Sequence, residues 1–169
     1  KADLAIMNGG GIRSDILKGD IRMKDVLSVL PFTNHPVVLK VSGQEIKDIF
    51  EYGVSDPDQT GGRFPQVSGI IVSYNPAYPA GRKVTNIKIG NCDLCMDDYY
   101  TLTTNDFLAA GGDGYTVFKK IMEKEDGSTS SRRVILFDSG REIRDMVSDY
   151  IKGKKMISAK VEGRIRKEK

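Results

Sequence analysis

The sequence predicts one α/β (α+β) domain in which mixed sheets are layered with helices. The length of 169 residues suits a single domain. Short strand-like segments alternate with amphipathic helical segments, and no internal repeat or low-complexity segment interrupts them. The hydrophobic share of 39% and the charged share of 29% are ordinary for a soluble globular protein. We therefore expect one hydrophobic core.

The first three elements are predicted from apolar runs and from the residues that end these runs. Residues 4–7 are four consecutive apolar residues before a glycine loop, which indicates a buried strand. Residues 23–30 carry apolar side chains at helical spacing, and Pro31 ends this helix. Residues 37–41 are again strand-like.

Ser42 and Glu45 have the spacing of a capping box, so a helix is expected to begin directly after the strand at 37–41. Residues 56–63 are polar and rich in glycine, which predicts a loop. Alternating apolar residues then predict two half-buried strands, at residues 67–74 and 84–89.

Residues 99–104 are rich in Tyr and Thr and predict a further strand. A helix is expected at residues 115–122, a polar loop at 128–133 and a short strand at 134–137. Apolar residues at helical spacing in the segment 143–150 predict a last amphipathic helix.

The distribution of charge argues against a nucleic-acid polymer as the partner. The net charge is only +3, and the basic residues concentrated near the end of the chain have no aromatic residues among them, which predicts a solvated tail.

No apolar run approaches the roughly 20 residues of a membrane-spanning helix. The chain starts at once with a strand and without an initiator Met or a signal peptide, so we expect a fragment of a longer protein.

The two cysteines, Cys92 and Cys95, form a C-x-x-C pair. A structural zinc site would need more ligands than these and the one His of the sequence provide. A thioredoxin-like redox motif would place the pair at the start of a helix, whereas here it lies between strand-like segments. A short-loop disulfide is therefore the favoured interpretation, and it implies an oxidising, exported setting.

The composition of the candidate sites favours binding over catalysis. A metal-dependent hydrolase needs a cluster of His and carboxylate ligands, and acyl transfer usually needs a nucleophile beside a His base. The sequence has one His, His35, next to Pro36. No Walker loop and no dinucleotide fingerprint is present.

Two loops in the first part of the chain are candidates for ligand binding. In the first, NGGGIR at residues 8–13, Gly9, Gly10 and Gly11 allow backbone N–H groups to approach a ligand, and Arg13 offers a planar guanidinium. The alternative is a tight turn with Arg13 on the surface. The second loop, LPFTN at residues 30–34, presents an aromatic ring and an amide, although its Phe could equally be part of the core.

The third candidate loop, TNDFLAAGGDGY at residues 104–115, places Phe107 and Asp113 on either side of Gly111 and Gly112. The alternative is a turn in which Asp113 caps the following helix. Taken together, two rings, an Arg, an Asn and an Asp suit a nucleoside, because aromatic rings stack on a flat base and a carboxylate accepts hydrogen bonds from a ribose diol.

Five motifs in order resemble the C-terminal domain of the 5'-nucleotidase family, including ecto-5'-nucleotidase and bacterial UDP-sugar hydrolase/5'-nucleotidase. They are NGGGIR (8–13), LPF (30–32), QVSG (66–69), NDFLAAGGDGY (105–115) and VEGRI (161–165). The pair Cys92 and Cys95 is similar to a pair in the animal enzymes. The resemblance spans nearly the whole chain, and it implies the mixed α/β fold of that domain for residues 1–169.

The resemblance also implies roles for six residues. Phe32 and Phe107 would sandwich the base and Asp113 would bind the ribose hydroxyls, while Asn34 would contact the base. Asn8 and Arg13 would reach toward the ribose or phosphate end. Two divalent metals (Zn, Mn or similar) and catalysis would belong to an N-terminal calcineurin-like metallophosphatase domain of the same protein. We therefore expect no catalytic or metal-binding residue in this fragment and no hydrolysis by it alone.

Within the family, the expected reaction is hydrolysis of a nucleoside 5'-monophosphate to nucleoside and phosphate. UDP-sugar hydrolysis and 2',3'-cyclic-nucleotide phosphodiester hydrolysis are alternatives that the residues do not separate from it. The paired rings and Asp113 disfavour the thiosulfate-pathway hydrolases of the family. A nucleotide-binding module without catalysis is the alternative from another functional class. The resemblance also allows a dimer and agrees with an exported protein.

Overall fold

The computed structural model of the chain describes residues 2–55, 61–123, 134–137 and 140–168. The loop predicted at 128–133 and the first five residues of the loop predicted at 56–63 lie outside these ranges. Within them, strands and helices alternate and build two sheets that each combine parallel and antiparallel pairs. The predicted mixed α/β class is confirmed.

Most predicted elements are present, with bounds that differ by one or two residues, except that the last helix ends four residues later than the predicted 143–150. The helices are α1 (Met23–Val29), α2 (Gly43–Gly53), α3 (Asp106–Ala109), α4 (Thr116–Glu123) and α5 (Ile143–Lys154). The strands are β1 (Leu4–Asn8), β2 (Pro36–Ser42), β3 (Pro65–Ser68), β4 (Ile70–Tyr74), β5 (Val84–Ile89), β6 (Cys92–Asp93), β7 (Tyr99–Asn105), β8 (Val134–Phe137) and β9 (Ile165–Lys167). The short elements α3, β6 and β9 were not expected from the sequence, because so few residues show no periodicity.

Sheet 1 contains five of the described strands in the order β3-β1-β7-β2-β8. β1 runs parallel to β7, with Leu4 opposite Leu102, and the other neighbours are antiparallel. Because β1 and β7 point the same way, their last residues, Asn8 and Asn105, lie at the same edge of the sheet. The candidate loops that follow these two strands therefore start side by side.

Sheet 2 has the order β6-β5-β4-β9, and it is joined to sheet 1 through Gly69. The segment predicted as one strand at residues 67–74 is two strands, β3 in sheet 1 and β4 in sheet 2. Gly69 separates them with a φ of 77°, and a Cβ placed there would lie 2.2 Å from the Asp3 carbonyl oxygen. Only glycine satisfies both conditions, so this residue sets the change of sheet.

Helix α2 packs between the two sheets, where it contacts β2 and β5. Its start is the predicted capping box: Ser42 Oγ accepts a hydrogen bond from Glu45 N at 3.3 Å, and Glu45 Oε2 accepts one from Ser42 N at 2.9 Å. Ile46, Ile49 and Phe50 on this helix are fully buried. They join residues of both sheets and of α4 in one hydrophobic core.

Helix α5 is amphipathic as predicted, but its apolar side is only partly covered. Met146 and Tyr150 are 42% and 61% exposed. Together with Val147 they line a cavity of about 420 Å³ between α5 and sheet 1. The N-terminal end of α5 is held more closely, because Ile143 N donates a 2.9 Å hydrogen bond to the Asn34 carbonyl oxygen.

The structure differs from the prediction at the cysteines. Cys92 and Cys95 are free, exposed thiols, and the expected disulfide between them is not formed. The two backbones have different partners: Cys92 pairs with Ile89 of β5, whereas Cys95 N donates to the Tyr100 hydroxyl at 3.0 Å.

In the part of the chain that the structure describes, no helix has both the length and the apolar character of a membrane span.

Candidate nucleotide-binding site

A cavity of about 250 Å³ opens at the edge of sheet 1 where β1 and β7 end. The six side chains proposed from the sequence as ligand contacts all line it, although they come from three separate loops. The lining residues are Asn8, Gly10, Gly11, Arg13, Phe32, Asn34, Gly62, Phe107 and Asp113. The structure thus brings the three candidate loops together, which the sequence alone could not establish.

The two phenylalanines of the cavity are not core residues. Phe32 is 50% exposed and Phe107 is 44% exposed, so the core alternative for either side chain does not hold. Phe107 lies on α3 and packs against Gly112, where an added Cβ would be 2.5 Å from its Cε1 atom. Two rings exposed to solvent beside polar groups leave apolar area available to a ligand.

Phe32 and Asn34 lie in the loop between α1 and β2, and the start of α5 holds this loop from outside. Arg144 Nη1 donates a 3.2 Å hydrogen bond to the Pro31 carbonyl oxygen. Ile143 N bonds the carbonyl of Asn34, as described above. The loop is therefore fixed on both sides of Phe32 by backbone carbonyl contacts, and its side chains stay free to face the cavity.

Asp113 has an unusual backbone conformation that directs its side chain into the cavity. Its φ is 52°, in the left-handed region, and Gly111 and Gly114 on either side also have positive φ. Tyr52 Oη donates a 2.8 Å hydrogen bond to the Asp113 carbonyl oxygen, and Asn8 Nδ2 donates a 2.7 Å hydrogen bond to Asp113 Oδ2. The side chain contacts Asn8 instead of capping α4, which favours the ligand-facing alternative of the sequence analysis.

The backbone N–H groups of Gly9 and Gly10 were expected to approach a ligand, but they bond other backbone groups of the protein. Gly9 N donates to the Phe64 carbonyl at 2.8 Å, and Gly10 N donates to the Gly62 carbonyl at 2.7 Å. These two N–H groups are therefore not offered to a ligand. A Cβ on Gly10 would lie 2.9 Å from Gly62 Cα. Because glycine has no side chain, the backbone at Gly10 can pack closely against the backbone at Gly62.

Charge in the cavity comes from Arg13 and Asp113 among its lining residues. Arg13 is exposed, its backbone N–H donates to the Val29 carbonyl at 2.9 Å, and its Nη1 lies 3.5 Å from the Gly10 carbonyl oxygen. This weak tether leaves most of the guanidinium donors available. The cavity therefore combines the hydrogen-bonded carboxylate of Asp113 with the guanidinium of Arg13, and the rings of Phe32 and Phe107 lie next to them.

Tyr115 anchors the loop that contains Gly62. Tyr115 is buried and donates a 2.6 Å hydrogen bond to the Arg63 carbonyl. Burial raises the pKa of the Tyr115 hydroxyl far above its ordinary value, so it remains a neutral donor. Its ring meets that of Tyr52 edge to face, with 5.0 Å between centroids.

Sequence reasoning missed Gly62 as a cavity residue, and it missed Tyr52 and Asn105 as supports. Tyr52 gave no local signal, because its contact with Asp113 joins residues 61 positions apart. Asn105 did carry one: an Asn directly after a strand and before a helical segment is typical of an N-cap. The structure confirms that role, since Asn105 Oδ1 accepts a 2.7 Å hydrogen bond from Leu108 N.

The described residues do not fit a metal centre. No group of three or more His, Cys, Asp or Glu side chains among them could hold a metal ion. His35 instead contacts Asp106, with 3.3 Å between Nδ1 and Oδ2.

Comparison with known proteins gives the family. The profile described as 5'-nucleotidase, C-terminal domain, matches residues 1–120. The chain is 42% identical over 130 residues to the trifunctional nucleotide phosphoesterase protein YfkN of Bacillus subtilis, covering 74% of this chain and 9% of that protein. It is 34% identical over 175 residues to the snake venom 5'-nucleotidase of Macrovipera lebetinus, covering 96% of this chain and 40% of that protein.

Solved structures agree. The crystal structure of a 5'-nucleotidase precursor from Thermus thermophilus superposes with a TM-score of 0.86 at 36% identity, covering 98% of this chain and 31% of that chain. The chain thus spans well under half the length of each of these three proteins. The profile covers more than two thirds of the chain, and the fold and the order of the motifs agree with it, so the chain belongs to the 5'-nucleotidase family and corresponds to its C-terminal domain.

Proposed function

We propose that this domain binds the nucleoside part of a nucleotide and presents it for hydrolysis by a 5'-nucleotidase-type phosphohydrolase. The observation that carries the proposal is the convergence of Asn8, Arg13, Phe32, Asn34, Phe107 and Asp113 on one cavity of about 250 Å³. Each group has a partner in a nucleotide. The rings stack on the base, the carboxylate accepts from ribose hydroxyls, and the guanidinium suits an anion.

The exposure of the two rings supports the stacking step. Stacking of a base on an aromatic side chain is worth about 1–3 kcal/mol, and at half exposure Phe32 and Phe107 contribute less to the core than buried residues do. The simplest explanation of two such rings at one cavity is that a ligand covers them. We therefore propose that Phe32 and Phe107 enclose the base and that Asn34 contacts its edge.

The polar side of the cavity supports the placement of the ribose. Asp113 Oδ2 is occupied by Asn8, but a carboxylate has about four acceptor positions, so Oδ1 and the remaining lone pairs can accept from two hydroxyl groups. Arg13 supplies a positive charge to the cavity, whereas Asp113 supplies a negative charge. We propose that it interacts with the ribose or phosphate end of the nucleotide.

The chemical step is proposed to lie outside this chain. Since the described residues supply no cluster of metal ligands, we place the two divalent metals, zinc, manganese or similar, on an N-terminal calcineurin-like metallophosphatase domain of the same protein. The partners of this chain would then be the nucleotide and that domain.

Binding and turnover should be measured on the same preparation. Calorimetric titration with AMP should show binding, Asp113→Asn should weaken it, and Asp93→Asn, which changes an exposed carboxylate on β6, should not. With zinc, manganese or magnesium present, hydrolysis of AMP by this chain should remain negligible, and turnover above about 1 per second after repurification would contradict the assignment. Absence of AMP binding by the unaltered chain would remove the proposal itself.

The same assays separate the related reactions. The name of the Bacillus subtilis relative, a trifunctional nucleotide phosphoesterase, supports testing UDP-glucose and 2',3'-cyclic AMP beside AMP. All three ligands offer a base to the rings, so the domain should bind each of them. Their hydrolysis should be compared in the longer protein that contains the metal centre. A binding module without catalysis would bind them and show no hydrolysis in any longer form.

We also propose that the protein is exported. The support is the similarity to a venom protein. Fractionation of the producing cells, with immunodetection in medium, envelope and cytosol, tests this, and a signal confined to the cytosol would contradict it.

A further inference from the structure

Asn105 lies beside the cavity residues without belonging to the cavity lining. It is only 1% exposed and sits at the junction of β7 and α3. Its side chain makes two hydrogen bonds, accepting from Leu108 N at 2.7 Å and donating from Nδ2 to Asn8 Oδ1 at 3.1 Å. The first bond caps α3, and the second leads toward the cavity.

These bonds continue to Asp113 and have only one possible direction. Leu108 N is a backbone donor, so it must face the oxygen of Asn105. The amide nitrogen of Asn105 is then directed at Asn8, whose oxygen must accept. The amide nitrogen of Asn8 is left to donate to Asp113 Oδ2. One backbone N–H therefore sets the orientation of two side-chain amides.

The direction matters for the carboxylate. If the Asn8 amide were turned over, its oxygen would face Asp113 Oδ2 at the present 2.7 Å separation, and two acceptors repel each other at that distance. Asn8 is 4% exposed, so water has little access to satisfy the misplaced groups. Through Asn8, the Asp113 carboxylate is thus connected to Asn105, which is not among the residues that line the nucleotide cavity.

We propose that Asn105 is a positioning residue for nucleotide binding: through Asn8 it holds the Asp113 carboxylate in the orientation that accepts the ribose hydroxyls. This inference rests on the proposed function, because it assumes a ligand with a diol at Asp113. It goes further by giving Asn105, the N-cap of α3, a second role in positioning the group that binds the ligand.

Asn105→Asp separates the capping role from the positioning role. Asp is as good an N-cap as Asn, so the bond from Leu108 N is kept. A protonated carboxyl at position 105 can still donate to Asn8 Oδ1, whereas an ionised one cannot. Burial raises the pKa of an introduced carboxyl, whereas the bond from Leu108 N lowers it. AMP binding is therefore followed across the pH range in which the melting temperature shows that the variant is folded.

The expected result is an affinity for AMP that falls as pH rises. In acid the variant should bind within about threefold of the unaltered chain, because protonation of the introduced carboxyl restores a donor to Asn8 Oδ1. At about pH 8 it should bind about tenfold to a hundredfold more weakly, the range for loss of a hydrogen bond to a charged group. Protonation would also relieve a merely structural disturbance, so the melting temperature is measured at both ends of the pH range. The inference requires AMP affinity at about pH 8 to fall in a variant that is still folded at that pH.

Two further variants keep the test decisive if Asn105→Asp folds poorly. Asn105→Ser retains a capping oxygen but has no donor that reaches Asn8. Its melting temperature should fall, because Asn8 Oδ1 loses its donor, and AMP binding by the folded variant should be weaker at every pH. Ser42→Ala removes the cap of α2, distant from the cavity in the fold, and should lower the melting temperature without changing AMP affinity. Unchanged AMP affinity in Asn105→Ser overturns the inference.

Other ionisable groups on the elements around position 105 are Asp113, the His35–Asp106 pair, and Glu142 and Arg144 at the start of α5. All of them remain in Asn105→Ser, so the pH profile of that variant supplies their contribution. Failure of the unaltered chain to bind AMP overturns both the proposed function and this inference. Normal binding by the unaltered chain with pH-independent, undiminished binding by Asn105→Asp overturns the inference alone.

Discussion

Asn8 and Asp113, 105 positions apart in sequence, are joined by a 2.7 Å hydrogen bond from the Asn8 amide to Asp113 Oδ2. The bond links the loop after β1 to the loop after α3 across the candidate nucleotide cavity. It also uses one side of the carboxylate and leaves Oδ1 for a ligand. Selectivity for the sugar should therefore depend on Asp113.

We expect AMP to bind more tightly than 2',3'-dideoxy-AMP, because the dideoxy sugar cannot donate to Asp113. The difference should be about 1.5–3 kcal/mol, the range for hydrogen bonds to a charged group. Calorimetry with both nucleotides measures it, and Asp113→Asn should reduce the difference. Equal affinities for the two nucleotides in the unaltered chain would show that Asp113 does not contact the ribose.

Phe107→Ala should weaken AMP binding by about 1–3 kcal/mol, the value of one stacked base. Because Phe107 is 44% exposed, the melting temperature should change much less than for a buried Phe, whose loss costs about 3–5 kcal/mol. Tyr78→Ala is the matched control, since Tyr78 is 50% exposed and lies outside the cavity. A variant that melts much earlier yet binds AMP normally while folded would identify Phe107 as a structural residue.

Gly112→Ala should disturb the same ring without removing it. The added Cβ would lie 2.5 Å from Phe107 Cε1, so the ring must move away from its present position. We expect AMP affinity to fall by about tenfold, within the stacking range. Gly153→Ala in α5, where an added Cβ meets nothing within 4 Å, should instead raise stability by about 0.5–1 kcal/mol and leave binding unchanged. Unchanged affinity in Gly112→Ala would mean that the ring position is not important for binding.

The local part of the fold and of the site could be predicted from the sequence. The capping of α2 by Ser42 and Glu45 and the end of α1 before Pro31 depend on neighbouring residues. The predicted single strand at 67–74 was wrong because the division at Gly69 depends on the backbone of Asp3, which is distant in sequence. The same reason explains why Tyr52 was missed and why the N–H groups of Gly9 and Gly10 were assigned to a ligand instead of to residues 62–64.

Glu51→Ala should lower stability without changing nucleotide binding. Glu51 is 7% exposed, and its two carboxylate oxygens accept hydrogen bonds from Lys83 N at 2.8 Å and Val84 N at 3.1 Å. This joins α2 to the start of β5. Removal leaves two backbone donors without their acceptor, so we expect a loss of about 2–6 kcal/mol, at about 1–3 kcal/mol for each unsatisfied group. Urea unfolding measures it, with Glu123→Ala at an exposed position as the control.

Arg144→Gln should weaken nucleotide binding although Arg144 does not line the cavity. Its Nη1 donates to the Pro31 carbonyl, one residue before Phe32, and a shortened side chain without charge should not replace that bond. A hydrogen bond from a charged group contributes about 1.5–3 kcal/mol. Because this one acts on the ligand only through the loop, we expect AMP affinity to fall by no more than about threefold to tenfold. The loop keeps its second tether, from Ile143 N to the Asn34 carbonyl, so the loss should be smaller than for Phe107→Ala.

Arg141→Gln is the matched control for this variant. Arg141 is exposed and pairs with Asp149, so its replacement should leave AMP affinity unchanged. Fluorescence or calorimetric titration at two salt concentrations distinguishes positioning of the Phe32 loop from long-range attraction between the arginines and the ligand. A long-range electrostatic effect would be screened by salt and would appear in both variants. Equal losses in Arg141→Gln and Arg144→Gln would therefore show that α5 acts on the ligand through its charge, whereas a loss confined to Arg144→Gln would show that it acts by holding the loop of Phe32.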